Sequence, residues 1–336
     1  MTTVYTFVPS PNHFYAGHPE RPERLEILER RLSSFQAQKA ESKAAAIEEI
    51  GRIHKAELIS ELERACAAGV GLIDYAPTYV TPTSFQDALN AAGGVLTCVR
   101  AVVNGDAKNA FAIVRPPGHH AEAGRSMGFC LFNNIAVAAR EALEHGIRRV
   151  AIVDYDAHHG NGTQAAFFGE ERVAFLSTHQ WGIYPGTGWL TEAPHAKKRI
   201  VNVPLPERAG DSVYAAIADE IFTPFVRNFK PGLILVSAGF DSHWNDPLTL
   251  LGLSTKGFFA LSQKLVELAE EQCNGKIVFV LEGGYDATNV ANGAAAVFSA
   301  LAGSRSAPEA EDVNPYKEPD CAARIREVIQ WHGFSV

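Results

Sequence analysis

The sequence predicts an α/β fold, with a mainly parallel sheet and helices on both of its faces. Short apolar runs alternate along the chain with longer segments of helical periodicity, as expected for strand–helix–strand units. Several of the runs are apolar throughout, which is typical of parallel strands buried on both sides. No Gly/Ser/Pro-rich linker divides the 336 residues, so we expect a single domain over residues 1–336.

Seven short apolar runs are predicted to be strands. They are Val4–Phe7, Ala110–Val114, Val150–Asp154, Val173–Ser177, Ile200–Val203, Leu233–Ser237 and Lys276–Leu281. Helices are predicted where apolar residues recur every three to four positions. They cover Pro22–Phe35, Ser84–Val103, Asn134–His145, Asp211–Phe229 and Thr255–Gln272, and a final helix within about 315–332 is joined to the body by the polar stretch Gly303–Asn314.

Composition and charge exclude several classes of protein. The net charge is −8 and no stretch is rich in Lys and Arg, which argues against direct binding of DNA or RNA. No apolar run is long enough to span a bilayer, and Met1–Ser10 lacks the features of a signal peptide. The five cysteines are odd in number and form no CxxC motif, which predicts reduced thiols in the cytoplasm rather than disulfides.

Polar side chains cluster after four of the predicted strands. They are His119 and His120 after Ala110–Val114, Asp154–His158 at the end of Val150–Asp154, Asp241 after Leu233–Ser237, and Glu282–Tyr285 after Lys276–Leu281. In open α/β sheets, ligands bind beyond the carboxyl ends of the strands. We therefore expect these four segments to form one site.

The segment that begins at Asp154 has the spacing of a metal site. Side chains at i, i+2 and i+4 of an extended segment point the same way, so Asp154, Asp156 and His158 can face one cavity. Two carboxylates buried together require a compensating cation, and Asp with His suits zinc or a similar divalent ion. Asp241 would complete a set of three ligands and leave a coordination position open, as in catalytic zinc sites. The alternatives are a polar strand end with chance histidines and, for Asp241, a cap or turn.

Two other segments carry groups suited to acid–base and oxyanion chemistry. Imidazole titrates near neutrality, so His119 or His120 beside a metal-bound water could act as a general acid or base. Tyr285 follows a double-glycine turn, and a phenol can donate a hydrogen bond to a developing oxyanion. Surface histidines and a core or rim tyrosine are the alternative interpretations.

Taken together, these segments resemble the zinc-dependent histone deacetylase and acetylpolyamine amidohydrolase superfamily. The matching motifs are His18–Arg24, Arg115–His120, Gly128–Cys130, Asp154–Gly162, Pro185–Gly188, Ala238–Asp241 and Glu282–Tyr285. They occur in order over about residues 10–300; each alone is weak, but the seven together are highly specific. The resemblance implies an arginase-like open α/β sheet and a metal-dependent deacetylase acting on acetylated amines.

The resemblance also implies the metal ions and their ligands. Asp156, His158 and Asp241 would bind one zinc per chain. A structural potassium ion would be held by Asp154, main-chain oxygens of Asp156 and His158, and Ser177. Iron or cobalt could occupy the same zinc ligands.

Catalytic roles follow from the same resemblance. His120 would be the main general base with Asn161 as its partner, and His119, oriented by Asp154, would assist electrostatically. Tyr285 would stabilise the oxyanion. The position of Asn161 is Asp in members that resemble the eukaryotic class I enzymes, so this chain is similar to class II-like members of bacterial type.

Four positions match the substrate-binding region of the family. Gly128 and Phe129 lie in one motif, and Phe129 with Tyr184 matches the two aromatic walls of the acyl-lysine tunnel, although both could be plain core aromatics. Leu248 stands where polyamine-selective members carry an acidic residue. The resemblance therefore favours acetyl or small acyl groups on lysine side chains over the alternative, acetylated polyamines.

Two further hypotheses compete with the deacetylase. A ureohydrolase resembling arginase would need a second metal and more Asp ligands, whereas the order here is DxDxH. A catalytically weak acyl-lysine binding module is disfavoured because every matched catalytic position holds a competent residue. The sequence leaves the oligomeric state open.

Overall fold

The structure is a computed structural model that describes residues 2–310 and 312–335. Its strands in this part of the chain are β1 Thr3–Val8, β2 Gln38–Lys39, β3 Gly71–Leu72, β4 Tyr79–Val80, β5 Asn109–Val114, β6 Val150–Asp154, β7 Val173–Gln180, β8 Ile200–Leu205, β9 Leu233–Ala238 and β10 Ile277–Leu281. Eight of them form one sheet in the order β2–β1–β5–β10–β9–β6–β7–β8, and every neighbouring pair is parallel. The short strands β3 and β4 form a separate antiparallel pair.

The helices of the described residues flank this sheet. They are α1 Glu26–Arg31, α2 Ile47–Ile50, α3 Ala56–Ala68, α4 Ser84–Asn104, α5 Asn134–Glu144, α6 Asn161–Ala166, α7 Asp211–Ile217, α8 Thr223–Phe229, α9 Thr255–Cys273, α10 Ala287–Leu301 and α11 Ala322–His332. None of them combines the length and apolar character that crossing a membrane requires.

The core lies in two layers, one on each face of the sheet. Successive strand side chains point to opposite faces, so Ile234 and Val236 of β9 pack with α9 and α10, whereas Leu235 packs with α4 and α5. All three side chains are fully buried, and each contributes about 1.5–3 kcal/mol by leaving water. The predicted parallel sheet with helices on both faces is confirmed.

Most predicted elements are present with shifted ends. The predicted helix Asp211–Phe229 is interrupted by a π-helical turn at Ala218–Phe222. Pro224 lacks the N–H that would continue the α-helical pattern. The Thr223 N–H donates to the Ala218 carbonyl five residues earlier, and the Thr223 hydroxyl donates to the same oxygen (2.9 Å).

The final helix, Ala322–His332, lies within the predicted span of about 315–332 and occupies its C-terminal part. Pro319 disfavours helical geometry in the residue before it, and the Asp320 carboxylate accepts the Ala322 N–H at the helix start (2.9 Å). Helices α2, α3, α6 and α10 and the two-residue strands were not predicted. The short strands contain too few residues to show a periodicity.

Candidate active site

Four neighbouring strands position the polar segments. Strands β5, β10, β9 and β6 lie side by side in the middle of the sheet and are parallel. Their carboxyl ends therefore lie at one edge. Each strand leads into one polar segment. In the same spatial order, these segments contain the tandem histidines His119 and His120, then Tyr285, then Asp241, and then the residues from Asp154 onward.

Asp156, His158 and Asp241 meet at this edge. Each offers one ligand atom, and these atoms all lie within 4.8 Å of one another. His158 Nδ1 is 2.8 Å from Asp241 Oδ2 and 3.2 Å from Asp156 Oδ1. Ligand atoms around a tetrahedral zinc lie about 3–3.5 Å apart, given zinc–ligand distances near 2 Å. The donor set and its spacing therefore fit a divalent ion.

The electrostatics of this cluster also favour a cation. Asp156 and Asp241 are fully buried, and burial together with the Asp156 charge raises the pKa of Asp241. Burial lowers the pKa of His158, but its hydrogen bonds to the two carboxylates outweigh this and raise the pKa to about 10. A metal ion would replace the proton that this imidazole otherwise carries, because ligating histidine is neutral.

Main-chain N–H groups fix both aspartates. Asp156 Oδ1 accepts from the His158 N–H (2.9 Å) and Oδ2 from the Gly283 N–H (2.8 Å). Asp241 Oδ1 accepts from the Ala157 N–H (2.9 Å). These bonds orient the carboxylates in the way that outer-shell donors orient metal ligands.

The tandem histidines each have a different partner. His119 Nδ1 lies 3.0 Å from Asp154 Oδ2, and His120 Nδ1 lies 2.8 Å from Asn161 Oδ1. Burial lowers the pKa of His119, but the Asp156 and Asp154 charges outweigh it and raise the pKa to about 10. Burial and the neighbouring histidines hold the pKa of His120 well below its ordinary value. The pair thus consists of one imidazole that favours the charged form and one that favours the neutral form.

Glu282 fixes the loop that carries the histidines, a role that sequence reasoning missed. Its carboxylate is fully buried and accepts from the main-chain N–H groups of Gly118 (2.7 Å) and His119 (3.1 Å) and from the Ser237 hydroxyl (3.1 Å). Burial raises its pKa. The sequence signal that could have identified Glu282 was a carboxylate directly after a buried strand, in the same motif as Tyr285.

A second missed group is the buried ion cluster of Glu20, Arg24 and Arg115. Arg115 Nε donates to Glu20 Oε1 (2.5 Å), and Arg24 Nη1 donates to the same oxygen (2.9 Å). Arg24 also donates to the main-chain oxygens of Glu282 (2.6 Å) and Gly284 (2.5 Å). The cluster therefore braces the glycine turn that precedes Tyr285.

Tyr285 packs at the side of this turn. Its main-chain N–H donates to Asp246 Oδ2 (2.9 Å), and its ring lies below the Arg24 guanidinium and edge-on to Phe129. Burial, with the Asp241 charge, raises the pKa of Tyr285 well above its ordinary value. The phenol therefore stays protonated and available as a hydrogen-bond donor.

The predicted tunnel residues lie above His120. Gly128 has a φ of +59°, and a Cβ there would lie 2.4 Å from His120 Cδ2 and 2.8 Å from Tyr184 Cε1, so only glycine fits. The Tyr184 ring centroid is 5.1 Å from that of His120. Phe129 contacts Tyr285 with a centroid separation of 5.9 Å.

Leu248 and Ser177 do not belong to the group of three candidate metal ligands. Leu248 is 42% exposed, and its N–H donates to Asp246 Oδ1 (2.9 Å). Ser177 is fully buried opposite Asp154 on the adjacent strand β7, and its hydroxyl pairs with His179 Nδ1 (2.9 Å).

Comparison with known proteins decides the family. The sequence profile of the histone deacetylase domain matches residues 18–301. The chain belongs to the histone deacetylase family. It is 42% identical over 276 residues to a "Probable deacetylase" of Archaeoglobus fulgidus, which covers 80% of this chain and 76% of that relative.

Other members of the family are similar over almost the whole chain. "Histone deacetylase 14, chloroplastic" of Arabidopsis thaliana is 38% identical over 350 residues, covering 97% of this chain and 83% of the relative. The crystal structure of the HDA15 HD domain matches with a TM-score of 0.89 at 30% identity, covering 99% of this chain and 96% of that one. The chain is thus a hydrolytic deacetylase of a family that is in general zinc-dependent, and its substrates are acetylated.

Proposed function

We propose that this histone deacetylase family member hydrolyses acetyl or small acyl amides of lysine side chains, or of similar primary amines, at one zinc ion. The observation that carries the proposal is the convergence of Asp156, His158 and Asp241 beside two histidines with separate partners. Zinc held by those three side chains would polarise the acyl carbonyl and acidify water.

His120 takes the proton of the attacking water in this proposal. Its Nδ1 faces the Asn161 amide oxygen, which leaves Nε2 as the basic nitrogen. The lowered pKa of His120 keeps it neutral before the reaction, as a base must be. His119 beside Asp154 favours the charged form and assists electrostatically, and a histidine of this pair returns a proton to the leaving amine.

Tyr285 donates its phenolic hydrogen to the oxygen that becomes negative when the acyl carbon turns tetrahedral. The raised pKa supports this role, because the hydroxyl stays protonated across the working pH range. The Asp246 carboxylate and the Arg24 guanidinium position the residue from two sides. A donor held in place in this way stabilises charge without reorganisation during the reaction.

The substrate stem would pass between Phe129 and Tyr184, beside Gly128. Aromatic walls suit an aliphatic chain whose acyl end reaches the buried metal ligands. Leu248, which is 42% exposed, offers no charge to a second amine. These features favour acyl-lysine over acetylated polyamines.

Several finer assignments accompany this function. Asp154 and Ser177 sit opposite each other on neighbouring strands, which supports a potassium site with main-chain oxygens of Asp156 and His158. We infer one deacetylase domain over residues 1–336.

The five cysteines are buried and unpaired, in agreement with a reducing compartment, and we propose the cytoplasm. The Arabidopsis relative is named as chloroplastic, so the compartment differs within the family.

The ureohydrolase alternative needs a second set of metal ligands. Within residues 2–310 and 312–335, one group of three His, Cys, Asp or Glu side chains has the required spacing. Metal analysis separates the hypotheses, because about two manganese ions per chain would favour the ureohydrolase and one zinc the deacetylase.

The decisive experiment compares kcat/KM for acetyl-lysine peptides with that for acetylated polyamines. We expect turnover that a chelator abolishes and zinc restores, with higher kcat/KM for the peptides. Asp241→Asn is the matched variant, because it retains the side-chain volume but weakens the metal site. If no acetyl-lysine, acetylpolyamine or trifluoroacetyl substrate is turned over in a chelator-sensitive manner, the chain is a binding module and the proposal fails.

A further inference from the structure

A carboxylate lies directly behind the pair formed by His120 and Asn161. The Asn161 amide nitrogen donates to Glu122 Oε1 at 2.9 Å and to the His120 main-chain oxygen at 3.4 Å. An ionised carboxylate and a carbonyl oxygen can only accept hydrogen bonds. The NH₂ group of Asn161 is therefore fixed on that side, and its Oδ1 is turned toward His120 Nδ1 at 2.8 Å.

This orientation determines which nitrogen of His120 carries the proton. An amide oxygen only accepts, so His120 Nδ1 must donate, and in a neutral imidazole Nε2 is then the acceptor. If the Asn161 amide were rotated by 180°, its NH₂ would face Nδ1 and favour the opposite tautomer. An aspartate at position 161 would present an oxygen to His120 in either side-chain orientation. An asparagine does so in only one orientation, so it needs a neighbouring residue that selects this orientation.

We propose that Glu122 is a positioning residue that fixes the Asn161 amide and thereby the Nδ1–H tautomer of His120. The main chain of Glu122 is itself anchored, because its carbonyl accepts from His54 Nδ1 (2.9 Å) and its N–H donates to the Arg125 carbonyl (2.9 Å). The catalytic part of this inference rests on the proposed role of His120 as general base.

Single substitutions at Glu122 test whether activity depends on the hydrogen bond that its carboxylate accepts from Asn161. Glu122→Leu removes it, and we expect kcat on an acetyl-lysine peptide to fall about 10–100-fold, the usual effect of losing an outer-shell partner. KM should change much less, since Glu122 acts on the base rather than on substrate binding. Glu122→Gln keeps an amide oxygen that can accept from Asn161, so this matched variant should retain most of the activity.

Exchanging the carboxylate at position 122 and the amide at position 161 gives a sharper test. Asn161→Asp sets two carboxylates against each other at the position of the present 2.9 Å contact, so kcat should fall. In Asn161→Asp/Glu122→Gln the glutamine NH₂ can donate to the new aspartate, and kcat should recover. A residue with only a packing role would not give this recovery. Thermal unfolding of each variant establishes that it is folded.

The tautomer gives a readout that does not depend on turnover. Nitrogen-15 NMR of the histidines in the zinc-loaded protein should show His120 protonated at Nδ1, and Glu122→Leu should reduce that population. An active His120→Ala variant would refute the proposed base but leave this spectroscopic result valid. The positioning role of Glu122 is overturned if the tautomer of His120 is unchanged in Glu122→Leu. Where His120→Ala is inactive, the catalytic part is overturned if Glu122→Leu keeps wild-type kcat or if the double variant is no better than Asn161→Asp.

Discussion

Gly283→Ala tests directly whether two buried carboxylates hold one metal ion. A Cβ at this position would lie 2.5 Å from Asp241 Oδ2 and 2.6 Å from Asp156 Oδ2. Ordinary van der Waals contact requires each oxygen to retreat by about 1 Å. Metal–ligand distances tolerate about 0.2 Å, so both ligands would leave their positions together.

The expected effect is a large loss of zinc affinity. Disturbing outer-shell partners costs about 10–100-fold in metal affinity, and here the ligands themselves move. We therefore expect zinc to bind Gly283→Ala at least about 100-fold more weakly, which is about 2.8 kcal/mol. Competition with a chromophoric chelator measures the affinity, and unfolding of the metal-free protein shows whether the fold is retained.

Gly169→Ala is the matched control for this experiment. A Cβ at Gly169 meets nothing within 4 Å, and its φ is not in the left-handed region, so zinc affinity should stay at the wild-type value. If Gly283→Ala bound zinc as tightly as Gly169→Ala, the carboxylates beside Gly283 would not be the zinc ligands.

Two other outcomes follow from the structure. Tyr285→Phe should lower kcat about 10²–10³-fold with little change in KM, in a steady-state assay, because one oxyanion donor is lost; near-full activity would remove Tyr285 from the mechanism. Burial lowers the pKa of His54 to about 4, and its Nε2 must stay unprotonated to accept the Asn133 N–H (2.8 Å). In the unfolded state His54 has a pKa of about 6.5, so the unfolded chain binds more protons than the folded one between pH 6.5 and 4. The contribution of neutral His54 to the free energy of unfolding is therefore complete above pH 6.5 and is lost as the pH falls toward 4. We expect urea unfolding to show about 2 kcal/mol less pH dependence between pH 7.5 and 5 in His54→Gln than in the wild type; equal pH dependence would contradict a buried neutral His54.

The order of polar residues after apolar strands was enough to predict the fold class and to select one edge of the sheet. A strand such as Val150–Asp154 is recognisable because it must be apolar on both faces, and a charge at its end marks the place where the strand leaves the core. Asp156 and His158 are close in sequence, so their common direction follows from local geometry. Asp241 and Tyr285 could be named as candidates from their positions after strands, but their roles were assigned by family resemblance, since no local pattern links either residue to Asp156 and His158, which lie more than 80 positions away.

The amino-acid sequence by itself determined the α/β class, the type of ligand that each strand end offers and the family to which the chain belongs. Only the tertiary structure decided which strands are neighbours, and therefore that β5, β10, β9 and β6 bring their ends to one place. It also decided the supporting contacts of Glu282 with the histidine loop and of Glu122 with Asn161. Such contacts join residues far apart in the chain through single hydrogen bonds, and a hydrogen bond of this kind leaves no periodic signal in a sequence because it depends on packing alone.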